Sequence, residues 1–219
     1  MLYFNDCIFI HIPKTGGTSL CYYVLESVFK EDYLRDQGHL LSTKAGWKHA
    51  TLRGIYKRKK ELDLDPNKVK YVIAMFRNPY DKMVSLYHFY KQTLAQLLRR
   101  DNPKQYEITK LPFHEWVVAL KKFDLAYTWR SYEHFIELPD GNLPQNLIIL
   151  RYENYEKDVR EALKLFGGKV DDSAEIKHLM KSNRPRNWRE LYDKESEEAV
   201  YQFHKWVFNK GYYERMIVR

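Results

Sequence analysis

The segment from Cys7 to Ser19, CIFIHIPKTGGTS, most constrains what this chain can become. A short apolar run with β-branched residues ends at Pro13, and the pair Gly16-Gly17 follows. That order reads as a buried strand entering a turn. Leu20, Val24 and Val28 then repeat at a spacing of four, so a helix is expected from Thr18 to Phe29. Thr18 or Ser19 stands where an N-terminal hydroxyl helps. Glycines let backbone N–H groups converge on one point, and a helix N-terminus adds donors and partial positive charge. Lys14 adds a full charge on a flexible stem. Thr15, Thr18 and Ser19 add hydroxyls. The group suits a phosphate or sulfate, whereas a plain connection with a surface lysine leaves this concentration of residues without a reason. A Walker A loop places its Lys after the last Gly, directly before Ser or Thr. Here Lys14 precedes both glycines, and no acidic strand end stands out to hold Mg²⁺.

The alternation continues. Lys70 to Phe76 reads as a second strand, followed by Asn78-Pro79 as cap and first-turn residue. Tyr80, Val84 and Tyr87 form a helical stripe behind them. Asn146 to Leu150 is a third strand, with a helix from about Tyr155 to Phe166. Glu195 to Phe208 reads as a late helix stopped near Gly211. Weaker helical patterns lie around Phe113–Phe123 and Trp129–Leu138. Strands alternating with helices predict an α/β fold with a central, mostly parallel sheet flanked by helices. With no repeat and no Ser/Gly-rich linker, residues 1–219 are expected to form a single domain. Ligands in such folds sit beyond the carboxyl ends of the strands, here Pro13–Ser19 and Arg77–Asn78.

A second anion site is expected at Arg77 and Ser85. If Asn78 caps the helix, two turns bring Ser85 to the same face as Asn78. A guanidinium and a hydroxyl then grip one phosphate from two sides. The bland alternative pairs Arg77 with an acid such as Asp81.

Composition narrows the classes. A hydrophobic fraction of 44% and an aromatic fraction of 16% exclude a disordered chain. Nine Gly and eight Pro exclude collagen-like or low-complexity sequence. Cys7 and Cys21 cannot build a disulfide framework. The net charge of +8 favours anionic partners. No apolar run approaches a membrane span, and MLYFNDCIFIHIPK lacks the basic n-region of a signal peptide. A cytoplasmic protein is therefore expected, unless the chain is a fragment of a longer anchored one. Nucleic acid is not an expected partner. The tyrosines fall mostly at helical spacing, which points to packing, and no DNA- or RNA-binding signature occurs.

HIPKTGGTS followed by FRNPYDKMVSLYHFY resembles the cytosolic and Golgi-type sulfotransferases. The likeness is strongest to the carbohydrate group that includes the heparan sulfate 2-O- and 6-O-sulfotransferases and small bacterial homologues. It continues loosely through LIILRYENYEKD. The resemblance implies 3′-phosphoadenosine 5′-phosphosulfate (PAPS) as co-substrate, a hydroxyl acceptor such as a saccharide, and no metal. It implies that Lys14, Thr15, Gly16, Gly17, Thr18 and Ser19 hold the 5′-phosphosulfate, and that Arg77 and Ser85 hold the 3′-phosphate. In-line transfer needs a group to receive the acceptor proton and a charge on the leaving oxygen. Lys14 suits the second task.

For the base, histidine is the best side chain near neutral pH. Trp47-Lys-His-Ala-Thr51 resembles the segment of the 6-O-like group that carries the catalytic histidine, which makes His49 the expected base and His39 the reserve. A Glu base, used by other sulfotransferases, stays open. The run Lys57–Lys60 reads as a solvated helix face. In the related family a late basic loop closes over the nucleotide. Arg184 or Arg186 of Ser182–Arg189 is the corresponding candidate for the 3′-phosphate, and Trp188 for covering the adenine or the acceptor. Two rival functions remain at this stage. One is an atypical P-loop nucleotide kinase or NTPase, which needs Mg²⁺. The other is a non-catalytic binder of polyanions or nucleic acid, whose affinity would fall steeply with salt.

Overall fold

The computed structural model describes residues 1–28, 49–101, 103–120, 130–168, 173, 175–176 and 184–218. Two compact units account for them: Met1–Phe76 with Tyr132–Met180, and Arg77–Ser131 with Lys181–Arg219.

The first unit holds a four-stranded sheet, β1 (Leu2–Phe4), β2 (Cys7–Ile10), β3 (Tyr71–Phe76) and β4 (Leu147–Arg151), in that spatial order. Strands β2, β3 and β4 are parallel, and β1 runs antiparallel to β2. The fold is α/β with a mostly parallel sheet, as the alternation predicts. All four side chains of β2 are fully buried, as are five of the six in β3. Strands without alternation require cover on both faces, which parallel connections through helices supply.

Helix α1 (Gly17–Val28) and the later α9 (Tyr155–Leu165) lie on one face. Leu20 and Val24 meet Phe9, Ile73 and Met75 there, together with Val159, Ala162 and Leu163. On the alternate positions, Phe76 packs its ring against Tyr132 at a 4.4 Å centroid distance. The short helices α2 (Leu52–Lys57) and α3 (Lys59–Leu62) precede β3. Thr51 caps α2 by accepting from Gly54 N at 3.1 Å.

Strand β1 was not expected. Asn5 and Asp6 both take positive φ, 48° and 56°, and turn the chain in two residues. Both types tolerate that left-handed conformation, so β1 and β2 close as a tight hairpin.

In the second unit, α4 (Pro79–Phe89) is buried along nearly its whole length. Asn78 Oδ1 accepts from Tyr80 N at 3.0 Å and Pro79 occupies the first turn, as expected. A π-helical turn at Tyr90–Leu94 leads into α5 (Ala95–Asp101), followed by α6 (Pro103–Ile108) and α7 (Phe113–Leu120). The core is strongly aromatic. Tyr192 meets Tyr80 edge-on at 5.4 Å and Phe113 at 4.7 Å, and Tyr87 meets Trp116 at 5.3 Å. Many of the tyrosines are thus packing residues.

Back in the first unit, the weaker pattern at Trp129–Leu138 gives only the single turn α8 (Glu133–Ile136). The late helix expected at Glu195–Phe208 is two, α10 (Lys194–Phe203) and α11 (Lys205–Asn209), separated at His204 with φ −103° and ψ 20°. The bend lets Phe208 lie on both Tyr80 and Tyr201, at 5.5 and 5.4 Å. A straight helix would carry it away from one of them. Gly211 follows α11 with φ +70°. Among the described residues no helix is long and apolar enough to cross a membrane.

Candidate active site

In the first unit the chain leaves β2 at Ile10 and turns through Pro13–Gly16 into α1. Lys14 holds a left-handed φ of 64° and Gly16 one of 89°. The two glycines are required for different reasons. At Gly16 the backbone conformation disfavours a side chain, and a Cβ would meet the Tyr152 and Tyr155 rings at 3.0 Å. At Gly17 a Cβ would lie 2.5 Å from His11 Cδ2. The loop is therefore pinned between aromatic rings and an imidazole.

Within it, Thr15 is buried and its hydroxyl donates to the Ile12 carbonyl at 2.9 Å, which closes the turn. Thr18 is exposed and Ser19 buried. Burial pushes the Tyr155 phenol up to about 12. Lys14 is half-buried.

His49 sits three residues before the start of α2. Its Nδ1 lies 2.7 Å from the His11 backbone oxygen. The two imidazoles meet edge-to-face at 4.7 Å. A carbonyl oxygen only accepts, so Nδ1 carries the hydrogen and the neutral ring keeps its lone pair on Nε2. The first loop thus brings His49 to its own base through His11. The reserve candidate, His39, lies outside the described residues, as do Trp47 and Lys48.

In the second unit Arg77 is buried and its Nε donates to Asp81 Oδ2 at 2.7 Å. The same carboxylate takes Arg184. Arg184 Nη2 reaches Oδ2 at 3.3 Å, Nη1 pairs with Oδ1, and Nη1 also donates to the Asp81 backbone oxygen at 3.4 Å. One carboxylate therefore gathers two guanidiniums whose positions in the chain are far apart. Ser85, buried, stands one helical turn beyond Asp81 on α4. The pairing of Arg77 with Asp81, raised as the bland alternative, is present. The convergence of Arg184 on it was not anticipated.

The rest of the late loop behaves differently. Arg186 is exposed. Trp188 rests against Tyr192 at 6.4 Å and under the Arg189 guanidinium at 4.7 Å, partly covering the aromatic core. Ser182 and Asn183 lie outside the described residues. In the basic run at 57–60, Arg58 pairs with Glu61 through Nε at 2.6 Å, and Lys59 with Asp65 at 3.3 Å. Those are local pairs at the surface.

Tyr152 and Tyr155, which pack against Gly16 of the loop, were passed over by the sequence analysis. Their signal was available in RYENYE directly after the third strand, at a strand end where ligands gather.

A family model described as "Sulfotransferase domain" matches residues 62–209. The matched segment contains Arg77, Ser85, Arg184 and Arg186, and begins after the first loop and His49. No curated protein matches the chain. Among solved structures, the chain is similar to a crystal structure of a sulfotransferase from Alicyclobacillus acidocaldarius, with 16% identity and a TM-score of 0.48 over 99% of this chain and 98% of that one.

Proposed function

Since the chain belongs to the sulfotransferase domain family, we propose that it moves the sulfuryl group of PAPS to a hydroxyl of a saccharide, with His49 as general base. The observation that carries this is the 2.7 Å contact from His49 Nδ1 to the His11 carbonyl. It orients the ring and leaves Nε2 as the basic nitrogen, beside the loop that bears Lys14. Orientation of a base by a fixed partner on its other nitrogen is what proton abstraction at neutral pH asks for.

In this reaction the acceptor O–H gives its proton to His49 Nε2 as the oxygen bonds to sulfur. The bond between sulfur and the bridging oxygen breaks, and the electron pair leaves on the 5′-phosphate. Lys14 offsets the charge that grows on that oxygen. Backbone N–H groups of Lys14 to Ser19 hold the 5′-phosphosulfate. Gly16 and Gly17 let the loop lie against the Tyr152, Tyr155 and His11 rings, where a side chain would displace it. Arg77, Ser85 and Arg184 are assigned to the 3′-phosphate, and Arg186 serves as an outer charge. The nucleotide is consumed as a substrate. No metal enters any of these steps.

The test is transfer of labelled sulfate from PAPS to a panel of saccharide and simple hydroxyl acceptors. Wild-type protein is expected to transfer without added Mg²⁺. Lys14→Ala is expected to abolish turnover. His49→Ala is expected to lose turnover by roughly a hundredfold or more while still binding the product nucleotide. Absence of both transfer and nucleotide binding in the wild type would overturn the proposal. Mg²⁺-dependent hydrolysis of ATP would favour the kinase or NTPase class instead.

A further inference from the structure

We propose that His88 is a further phosphate-binding residue of the site that contains Arg77, Ser85 and Arg184, donating a hydrogen bond from Nε2 and taking up a proton as the 3′-phosphate arrives. The assignment rests on the function proposed above and adds a residue and a proton to it.

The geometry comes from one helix. Asp81, Ser85 and His88 are spaced four and three apart on α4, so they share a face. Asp81 on that face holds both guanidiniums. His88 meets the neighbouring Tyr87 ring edge-to-face at 5.3 Å. Its Nε2 is sealed from solvent and has no hydrogen-bond partner among the described residues. Buried polar atoms are nearly always paired, and a bound ion is one of the explanations an exception has. Arg184 acts electrostatically on the ring, so the missing partner belongs to chemistry that a guanidinium also attracts. An anion satisfies both.

The charges around His88 decide what binding does to it. Arg184 of the late loop and Lys91 of the π-helical turn act on it as positive charges, while Asp81 lies on its own helix. Burial first, then these two cations, hold the imidazole below its ordinary pKa. The unliganded ring is therefore neutral at pH 7. A dianion placed against Arg184 cancels the repulsion and favours the charged ring. The bound-state pKa then rises, and affinity is greatest below the free-state pKa and is lost as pH rises through the bound-state one. The proton comes from solvent, so the balance closes without another reactant.

The test measures binding of 3′-phosphoadenosine 5′-phosphate and of AMP, which lacks the 3′-phosphate, between about pH 6 and pH 8. Protonation of the ligand itself affects wild type and His88→Gln equally and cancels in their comparison. Between these limits the wild-type affinity for the bisphosphate is expected to gain roughly tenfold more at the acidic end than that of His88→Gln, for each unit by which the ligand raises the imidazole pKa. AMP should show no such difference. Imidazole titration of the wild type by NMR, with and without the bisphosphate, gives the same answer without a variant: the His88 pKa must rise on binding. An unmoved His88 titration, or equal pH slopes while Arg77→Ala still abolishes binding, overturns the role of His88 and leaves the sulfotransferase proposal standing. Failure of the wild type to bind the bisphosphate at any pH overturns both.

Discussion

Gly17→Ala isolates the contact that ties the phosphate-type loop to the proposed base. The new Cβ would stand 2.5 Å from His11 Cδ2 and 2.8 Å from Nε2, where ordinary contact begins at 3.4 Å. The His11 ring must therefore retreat by about 0.9 Å. It is buried, and the His49 ring lies against it at 4.7 Å, so the retreat has little room. Forcing atoms into a packed interior costs about 1–3 kcal/mol. The opposing gain, better helix propensity of Ala over Gly, reaches at most about 1 kcal/mol, and less at the first residue of a helix. The clash wins, and a net loss on the order of 1–2 kcal/mol is expected. Gly17 has no positive φ to confuse the accounting, unlike Gly16. Urea unfolding of the single variants and of His11→Ala/Gly17→Ala completes a double-mutant cycle. Removing the imidazole should erase the cost of Gly17→Ala, with a coupling of about 1–2 kcal/mol. An equal cost in both backgrounds would refute the contact as its origin. Turnover supplies a second readout, because a displacement near 1 Å in a catalytic group costs roughly a hundredfold.

Asp81→Ala leaves the buried Arg77 guanidinium without its carboxylate and should destabilise the protein by on the order of 3 kcal/mol, read from denaturant midpoints. Arg184→Ala should cost about 1 kcal/mol or less, since that side chain keeps 20% of its exposure, and should instead weaken binding of 3′-phosphoadenosine 5′-phosphate. Reversed ranks for the two stability losses would contradict the burial argument. His204 is wholly buried, and burial, then the nearby Lys82 ammonium, holds its pKa well below the ordinary value. On acidification the unfolded chain gains a proton there that the folded chain refuses. Stability should therefore fall as pH drops below about 6.5, approaching ~1.4 kcal/mol per pH unit from this residue. His204→Leu should flatten that limb relative to wild type, and parallel slopes would remove His204 as its source.

The sheet and its loops were legible because period and punctuation coincide. Apolar runs at 7–12 and 70–76 stop at Pro13 and at Asn78-Pro79, and the observed strands stop within three residues of those marks. Strand β1 was not legible, because three residues carry no period and an Asn-Asp turn is a weaker signal than Asn-Gly. The break at His204 was hidden for the opposite reason. The helical pattern runs through it, and the bend accompanies tertiary contacts of Phe208 with Tyr80 and Tyr201 that no local pattern encodes. The left-handed Lys14 is likewise invisible in a one-dimensional pattern.

At the proposed second anion site, the Arg77–Asp81 pair and an anion-binding role are compatible readings. An Arg77–Asp81 pair at helical spacing is readable from local sequence, and by itself it is neutral and has no reason to attract an anion. Arg184 joins the same carboxylate from 103 residues away, which no local pattern encodes. With it the cluster carries two positive charges against one negative. The carboxylate then serves to hold two guanidiniums at a fixed separation despite their mutual repulsion, and the surplus positive charge remains for a ligand. A phosphate entering such a cluster meets donors already oriented, so less ordering entropy opposes its binding. Replacing Asp81 by Asn tests this division of labour. The charge available to the anion increases, yet the geometry that holds the two arginines is lost. If orientation dominates, affinity for 3′-phosphoadenosine 5′-phosphate falls and its salt dependence steepens. If net charge dominates, affinity rises, and the account of Asp81 as an organiser of the site fails.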